Sequence, residues 1–338
     1  MDTAAPPAVT QDSRIFVAGS TGLVGSAITR ALRARGYGTL ILPTHSQLDL
    51  KDQAATRALF AYERPDVVIL AAAKVGGIWA NWEHPFEFIQ DNLAVELNVI
   101  SEAFRTGVKR LLFLGSSCIY PKLAEQPLKE EYLLTGPLEE TNRAYAVAKI
   151  AGIELCRSLN RQYGTHYLSL MPTNLYGPGD NFELASSHVL PALIRKFHEA
   201  RLGLPDEDGN PRPAHAPVTL WGTGTPRREF LYVDDLAQAV LFLLDIHAET
   251  GLPDGMVNIG CGTDLTIREL AQRVQRIVGH NGEIVWDHTK PDGTPQKLLD
   301  SSRMTSLGWE PKIDLEQGIR ITYEWYQAHC VGTANGVA

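Results

Sequence analysis

The sequence predicts a doubly wound parallel α/β sheet with a smaller C-terminal α/β domain, and three observations carry that expectation. Short apolar runs alternate with long amphipathic stretches from Arg14 to Met171. The first run turns through glycines straight into a helical pattern. After Pro172 the alternation gives way to turn-rich sequence. Strands alternating with helices imply right-handed βαβ units and therefore a parallel sheet covered on both faces. A chain of 338 residues is long enough for one large or two ordinary domains with a substantial core. Hydrophobic residues at 44% and charged residues at 21% belong to an ordinary globular protein. A net charge of −8 argues against a nucleic-acid surface, so an anionic substrate would need local Arg and Lys. Cys118, Cys156, Cys261 and Cys330 are widely separated and lack metal-type spacing; a reducing, cytoplasmic setting with no metal is expected. No apolar run approaches the ~20 residues of a membrane span, and residues 1–13 read as a loose tail.

Arg14 to Ala18 is the first strand, closed by Gly19. Gly19-Ser20-Thr21-Gly22-Leu23-Val24-Gly25 then runs into a helix, the context in which a glycine pattern points to a dinucleotide site. Glycines let the backbone approach a pyrophosphate, whose charge meets the helix N-terminus. Leu40-Ile41-Leu42 is the second strand. An NAD site places a carboxylate at its end for the ribose 2′-hydroxyl. Here Pro43-Thr44-His45 stands instead, which favours NADP without supplying an Arg. Asp66 to Leu70 is a buried strand followed by small residues, Ala71-Ala72-Ala73-Lys74-Val75-Gly76-Gly77. Phe86 to Arg105 and Thr141 to Tyr163 read as long helices, and Leu111 to Leu114 and Tyr167 to Met171 as strands, the latter broken by Pro172. Beyond it come a helix over 187–200, an exposed loop over 202–217, a strand Val218–Trp221, a strand end and helix over 230–244, and an amphipathic helix over 266–278.

The residues fit for chemistry begin where the Leu111 strand stops, at Gly115-Ser116-Ser117-Cys118. That edge of an open α/β sheet is where ligands bind, although a plain turn has the same composition. Tyr145 and Lys149 are four apart on a helix and share a face. A cation beside a phenol favours phenolate, preparing Tyr145 as a proton donor at neutral pH.

Together, the glycine turn, Ser116, Tyr145 and Lys149 resemble the short-chain dehydrogenase/reductase family, whose nucleotide domain is Rossmann-type. The Gly19-x-x-Gly22-x-x-Gly25 spacing is similar to the extended branch of that family. The segments 71–78, 111–123, 144–153, 171–178, Ser187-His188-Val189-Leu190-Pro191 and Lys290-Pro291-Asp292-Gly293-Thr294-Pro295 resemble the GDP-L-fucose synthases, over about Arg14 to Tyr326. The resemblance implies 3,5-epimerisation of GDP-4-dehydro-6-deoxy-D-mannose followed by NADPH-dependent reduction at C4. It assigns Cys118 as base, His188 as acid, Tyr145 as proton donor to the C4 oxygen, Ser116 as ketone partner and Lys149 as holder of the ribose. A 4-keto group acidifies both neighbouring carbons, and inverting them needs a base and an acid on opposite faces, roles a thiolate and a histidine can fill.

The same resemblance implies a cofactor strip of Gly19 to Gly25, His45, Asp49, Leu50, Leu114, Gly115, Ser116, Ser117, Tyr145, Lys149, Pro172, Thr173, Asn174, Leu175 and His188. It places Lys196, Trp221, Arg228 and Asp292 around the GDP group. Ser20-Thr21 replaces the His-Arg of many relatives, so the usual cationic partners of a 2′-phosphate are missing there. The expected domains are 14–175 plus 218–247 for NADP and 176–217 plus 248–330 for the GDP-sugar. A homodimer through the two long helices of the first domain is implied, with neither nucleic acid nor membrane as partner. The residues leave two alternatives open: an epimerase-reductase acting on a GDP-linked dideoxy or heptose 4-keto sugar, and a non-catalytic NADP-sensing module.

Overall fold

The computed structural model describes residues 9–206, 208–246, 252, 255–290 and 292–331. The ends of the expected tail and domains at 1–8 and 247, and Pro291 of the 290–295 segment, lie outside these residues.

Strand β1 (Ile15–Ala18) is wholly buried, and the chain passes from it through Gly19–Gly22 into helix α1 (Leu23–Ala34). Strand β2 (Leu40–Ile41) is followed by α2 (Gln53–Glu63), whose first turn is capped where the Asp52 carboxylate accepts from Ala55 N at 3.0 Å. Strand β3 (Val67–Leu70) leads through a small-residue stretch to α3 (Ile78–Glu83) and to α4 (Pro85–Arg105), with proline in the first turn where no donor is lost. Strand β4 (Arg110–Leu114) precedes α5 (Arg143–Tyr163), which ends at Gly164 with a left-handed φ of 66°. Strand β5 (His166–Pro172) completes this alternation. A parallel sheet of order β2-β1-β3-β4-β5 results, as the sequence predicts.

Both faces of the sheet are covered. Ile15 and Val17 belong to one core with Ile28, Leu32, Leu236 and Val240, whereas Phe16 and Ala18 belong to another with Phe60, Val99, Ile100 and Ile153. Alternate residues of a strand point to opposite faces, so each long apolar run supplies both cores.

Past Pro172 the chain leaves this sheet without ending extended structure. Strand β6 (Asn174–Tyr176) pairs with another strand further on, and α6 (Val189–Leu202) follows. Strand β7 (Val218–Trp221) alternates buried and exposed residues, β8 (Arg227–Tyr232) is the partner of β6, and α7 (Val233–Asp245) packs on α1. Strand β9 (Met256–Ile259), β10 (Asp264–Thr266), α8 (Ile267–Val278), β11 (Ile284–Asp287), β12 (Gln296–Lys297), α9 (Ser302–Ser306) and α10 (Leu315–His329) complete the chain.

The division between the two units is finer than the sequence suggests. Strand β9 falls in the stretch assigned to the second unit, yet its four buried residues pair with β5 and form the sixth strand of the first sheet. Conversely β7, assigned to the first, pairs among the described residues with β11 alone, and β8 carries β6, β10 and β12. A strand with one wet face cannot extend a sheet covered on both sides, which is why β7 stands apart. A third core, that of the second unit, gathers Leu190, Ile194, Phe197, Leu220, Phe230, Leu270, Val274 and Ile319. Among the described residues no helix is long and apolar enough to cross a membrane.

Candidate active site

The turn after β1 is shaped by what glycine lacks. Gly19 has a φ of 82°, and a Cβ there would lie 2.8 Å from the Ala72 backbone after β3. A Cβ on Gly25 would lie 2.0 Å from the Gly19 carbonyl. The turn therefore packs flat against the sheet edge, and α1 begins at Gly22 with no side chain capping its first amides. Unsatisfied amides and a close backbone form a cradle that fits a pyrophosphate. Beside it a cavity of about 300 Å³ is lined by Gly19, Thr21, His45, Asp49 and Leu50, which brings five expected cofactor residues together.

Lys51 and Lys74 also line this cavity, and sequence reasoning did not single them out. Their ammonium groups lie 3.5 and 3.4 Å from the Asp91 carboxylate on α4. The signal for Lys74 was its place directly after β3 in Ala71-Ala72-Ala73-Lys74. Leu23, Val24 and Leu175 are partly buried and pack against the first core. Thr173 and Asn174 donate from their side chains to the Glu229 carbonyl at 3.2 and 2.8 Å, which ties β5 to β8.

At the end of β4 the chain makes a short 3₁₀ turn, Ser117–Ile119, in which Ser117 is buried and Ser116 Oγ accepts from Cys118 N at 3.2 Å. Gly115 permits this turn, since a Cβ there would meet Met171 Sδ at 2.5 Å. Lys149 is buried and donates to the Leu114 carbonyl at 3.0 Å, with its ammonium 5.8 Å from the centroid of the Tyr145 ring. The expectation that Lys149 depresses the Tyr145 phenol needs correction. Burial pushes that phenol up, the charges of Cys118 and Glu96 add to the rise, and only a hydrogen bond with Ser116 opposes it. The ammonium's field is answered by Glu96, whose Oε1 lies 3.2 Å from Lys149 Nζ.

Cys118 Sγ accepts from Asn142 Nδ2 and from Lys297 Nζ, each at 3.1 Å. Burial works to raise this thiol, but Lys297, the Ser116 hydroxyl and Arg228 together carry it below the ordinary thiol value. His188 occupies the N-cap position of α6 but makes no side-chain cap bond. Burial and the Lys297 charge push its imidazole below the usual histidine range. The loop before it docks on the glycines after β3, where Gly77 N donates to the Ser186 carbonyl at 3.1 Å and a Cβ on Gly77 would meet Ser187 O at 2.7 Å. Asn142 and Lys297 were missed from sequence because nothing local ties a lysine on β12 to a thiol 179 residues earlier.

The residues expected around the GDP group run from the thiol pocket to β7, with Asp292 near enough to act on Arg228. Arg228 is lowered by its burial and raised by Cys118, Glu139 and Asp292, so it faces the thiol pocket. Lys196, Trp221 and Asp292 gather around β7. Lys196 Nζ donates to the Thr219 carbonyl at 3.4 Å, and Lys290 lies 5.2 Å over the half-exposed Trp221 ring. Asp292 accepts from Thr223 N at 2.8 Å and Thr223 Oγ1 at 2.9 Å, which fixes the Gly222-Thr223 turn beside that ring.

Two hydroxyls, a thiol lowered from its ordinary value and a glycine turn open to an anion make comparison with known proteins informative. The model of the NAD dependent epimerase/dehydratase family matches residues 15–260. The chain is 55% identical to GDP-L-fucose synthase 1 of Arabidopsis thaliana, over 94% of each chain. Among solved structures it is similar to a GDP-6-OMe-4-keto-L-xylo-heptose reductase from C. jejuni, with a TM-score of 0.88 and 38% identity over 95% of this chain and 99% of that one. A GDP-L-fucose synthetase from Naegleria fowleri bound to NADP superposes with a TM-score of 0.83 and 28% identity, covering 97% and 98%. The chain belongs to the NAD dependent epimerase/dehydratase family, on the branch of the GDP-L-fucose synthases.

Proposed function

We infer that the chain inverts C3 and C5 of GDP-4-dehydro-6-deoxy-D-mannose and then reduces C4, giving GDP-L-fucose at the expense of NADPH. The observation that carries this reading is the Cys118 thiol held between Lys297 and Asn142 next to Ser116, a feature that ketone reduction does not need. A thiol lowered from its ordinary value holds more thiolate at a given pH than a free cysteine, and it acts as the base that removes the proton from C3 or C5. The C4 oxygen, on which the enolate charge develops, is held by the Ser116 and Tyr145 hydroxyls. His188, made a stronger acid by its burial, returns a proton to the opposite face. A bound nicotinamide supplies the hydride for C4. Tyr145, kept protonated by its burial, gives its proton to the C4 oxygen in that step. Lys149 orients the ribose, and Gly19 to Gly25 take the pyrophosphate.

NADPH rather than NADH is supported by Lys51 and Lys74 in the cavity beside the glycine turn, cations that stand where Ser20-Thr21 offers none. Arg228, Lys196, Trp221 and Asp292 hold the GDP group, in a second unit built on β7, β8 and α6. The exposed apolar residues Phe86, Leu93 and Leu97 of α4 and Val147 of α5 suit a homodimer through these helices, and the free cysteines suit a reducing cytoplasm. Incubation with GDP-4-keto-6-deoxymannose and NADPH, followed by NMR of the product, tests the reading. Inversion at both carbons with consumption of NADPH is expected. Turnover confined to a GDP-4-keto-heptose would instead favour the reading that the 38%-identical heptose reductase suggests.

A further inference from the structure

Glu96 lies on α4, outside every motif used above, and it is almost completely enclosed, at 1% exposure. Its Oε1 sits 3.2 Å from Lys149 Nζ, and among the described residues no other donor reaches either of its carboxylate oxygens. The two helices close tightly here: a Cβ on Gly152 of α5 would lie 2.8 Å from Glu96 Oε2 and 2.5 Å from Phe113 Cζ. Nothing about α/β packing requires a carboxylate at this point, and burying one is costly unless its charge is used. The ammonium it faces is equally buried, and it bridges Glu96 to the Leu114 carbonyl at the end of β4. Lys149 is thus held between a carboxylate and a carbonyl, 5.8 Å from the centroid of the Tyr145 ring.

We propose that Glu96 is a positioning residue of the reduction step: its carboxylate clamps the Lys149 ammonium against the Leu114 carbonyl beneath Tyr145. The proposal rests on the roles given to Tyr145 and Lys149 above. The clamp is electrostatic, so it holds only while Glu96 is ionised. Burial raises the Glu96 carboxyl to about 7, against the opposing pull of Lys149. The groups facing Glu96 across α5 are Lys149, Tyr145 and Cys156, and the last two are themselves pushed up by its charge. From α2, Arg57 is engaged elsewhere, with Glu102. Below about pH 7 the carboxyl takes a proton, the clamp loosens and hydride transfer slows. Epimerisation moves its protons through Cys118 and His188, uses Tyr145 only as a hydroxyl donor to the C4 oxygen, and needs no cofactor ribose, the group that Lys149 holds.

The test compares wild type with Glu96→Gln, close in shape but unable to ionise, and Glu96→Asp, which keeps the charge on a shorter arm. Single-turnover oxidation of NADPH reads reduction. Solvent-deuterium incorporation into GDP-4-keto-6-deoxymannose without NADPH reads epimerisation. Glu96→Gln is expected to slow hydride transfer by about ten- to a hundredfold, the scale of a misplaced catalytic group. Deuterium incorporation should stay within about twofold, since a defect confined to one step falls only on the barrier of that step. The wild-type rate should fall toward that of the Gln variant between pH 8 and pH 6, on the order of the titration of one carboxyl, with the variant flat over the same range. Glu96→Asp should recover part of the loss. The proposal fails if Glu96→Gln keeps the wild-type rate and pH profile, or if both half-reactions fall together with thermal stability. Undiminished hydride transfer in Tyr145→Phe would separately refute the underlying roles.

Discussion

Replacing Lys297 by Met removes the cation beside Cys118 while keeping most of the side chain's length. Its ammonium lies 3.1 Å from the sulfur, and at that separation a pair of unit charges interacts by about 1.3 kcal/mol in water and about 5 kcal/mol at an effective dielectric of 20. A thiolate in a pocket that opens to substrate lies between these limits, so about 3 kcal/mol is a working value, or about two pKa units. The sign follows from which form the cation favours. Lys297 stabilises thiolate, so its loss raises the thiol and moves base function to higher pH. The rate of iodoacetamide alkylation at Cys118, followed against pH, reads the thiolate fraction directly. Its midpoint should move up by about two units in the variant. At pH 7 deuterium incorporation next to the ketone should fall by up to about a hundredfold, less whatever the more basic thiolate regains in reactivity, and it should recover as the pH is raised. His188 is pulled down by the same charge, so its acid function should persist to higher pH in the variant. An alkylation midpoint equal to that of wild type would refute the assignment of Lys297 as the group that ionises the thiol.

Gly152→Ala forces a Cβ to within 2.5 Å of Phe113 and 2.8 Å of Glu96; a loss of about 1–3 kcal/mol in chemical denaturation is expected, since an overpacked core yields only by shifting α5. Gly25→Ala places a Cβ 2.0 Å from the Gly19 carbonyl, which opens the cradle, and NADPH titration should show affinity weakened by about tenfold or more, equivalent to ~1.4 kcal/mol. Thr266 caps α8 by accepting from Glu269 N at 3.1 Å, with the Glu269 carboxylate bonding back to Thr266 N at 2.8 Å. Thr266→Ala should cost about 1 kcal/mol of stability by urea denaturation.

The parts of the fold legible in the sequence are those written in contiguous residues. Ile15 to Ala18 and Val67 to Leu70 announce themselves as wholly apolar strands, and the glycine turn follows from Cβ clashes that a sequence records by the absence of side chains. Strand β9 did not announce itself, because Met256-Val257-Asn258-Ile259 is short and carries an Asn whose burial depends on distant partners: its Oδ1 accepts from the Tyr120 hydroxyl at 2.6 Å and its Nδ2 donates to the Leu128 carbonyl at 2.9 Å. In the site, the spacing of Tyr145 and Lys149 correctly put both on one helix face. It was silent about the carboxylate on the neighbouring helix, and that carboxylate changes the electrostatic consequence of the spacing. Cys118 and His188 were legible as residue types with suitable chemistry. Their shared neighbour Lys297 was not, because a through-space pair assembled by β12 leaves no periodicity to read.

The reach from Cys118 to Lys297 also bears on how the chain comes to be made. During synthesis the thiol emerges 179 residues before the lysine that ionises it. The first five strands and their helices can close around Cys118 while β12 is still unmade, and in that interval the thiol lacks its main charge partner. A thiol that keeps its proton is a poor nucleophile toward oxidants and other cysteines. Until then the nascent chain carries the Cys118 sulfur without the cation that lowers it. The atom is armed only when β12 pairs with β8 and Lys297 arrives, late enough that the pocket which confines it already exists.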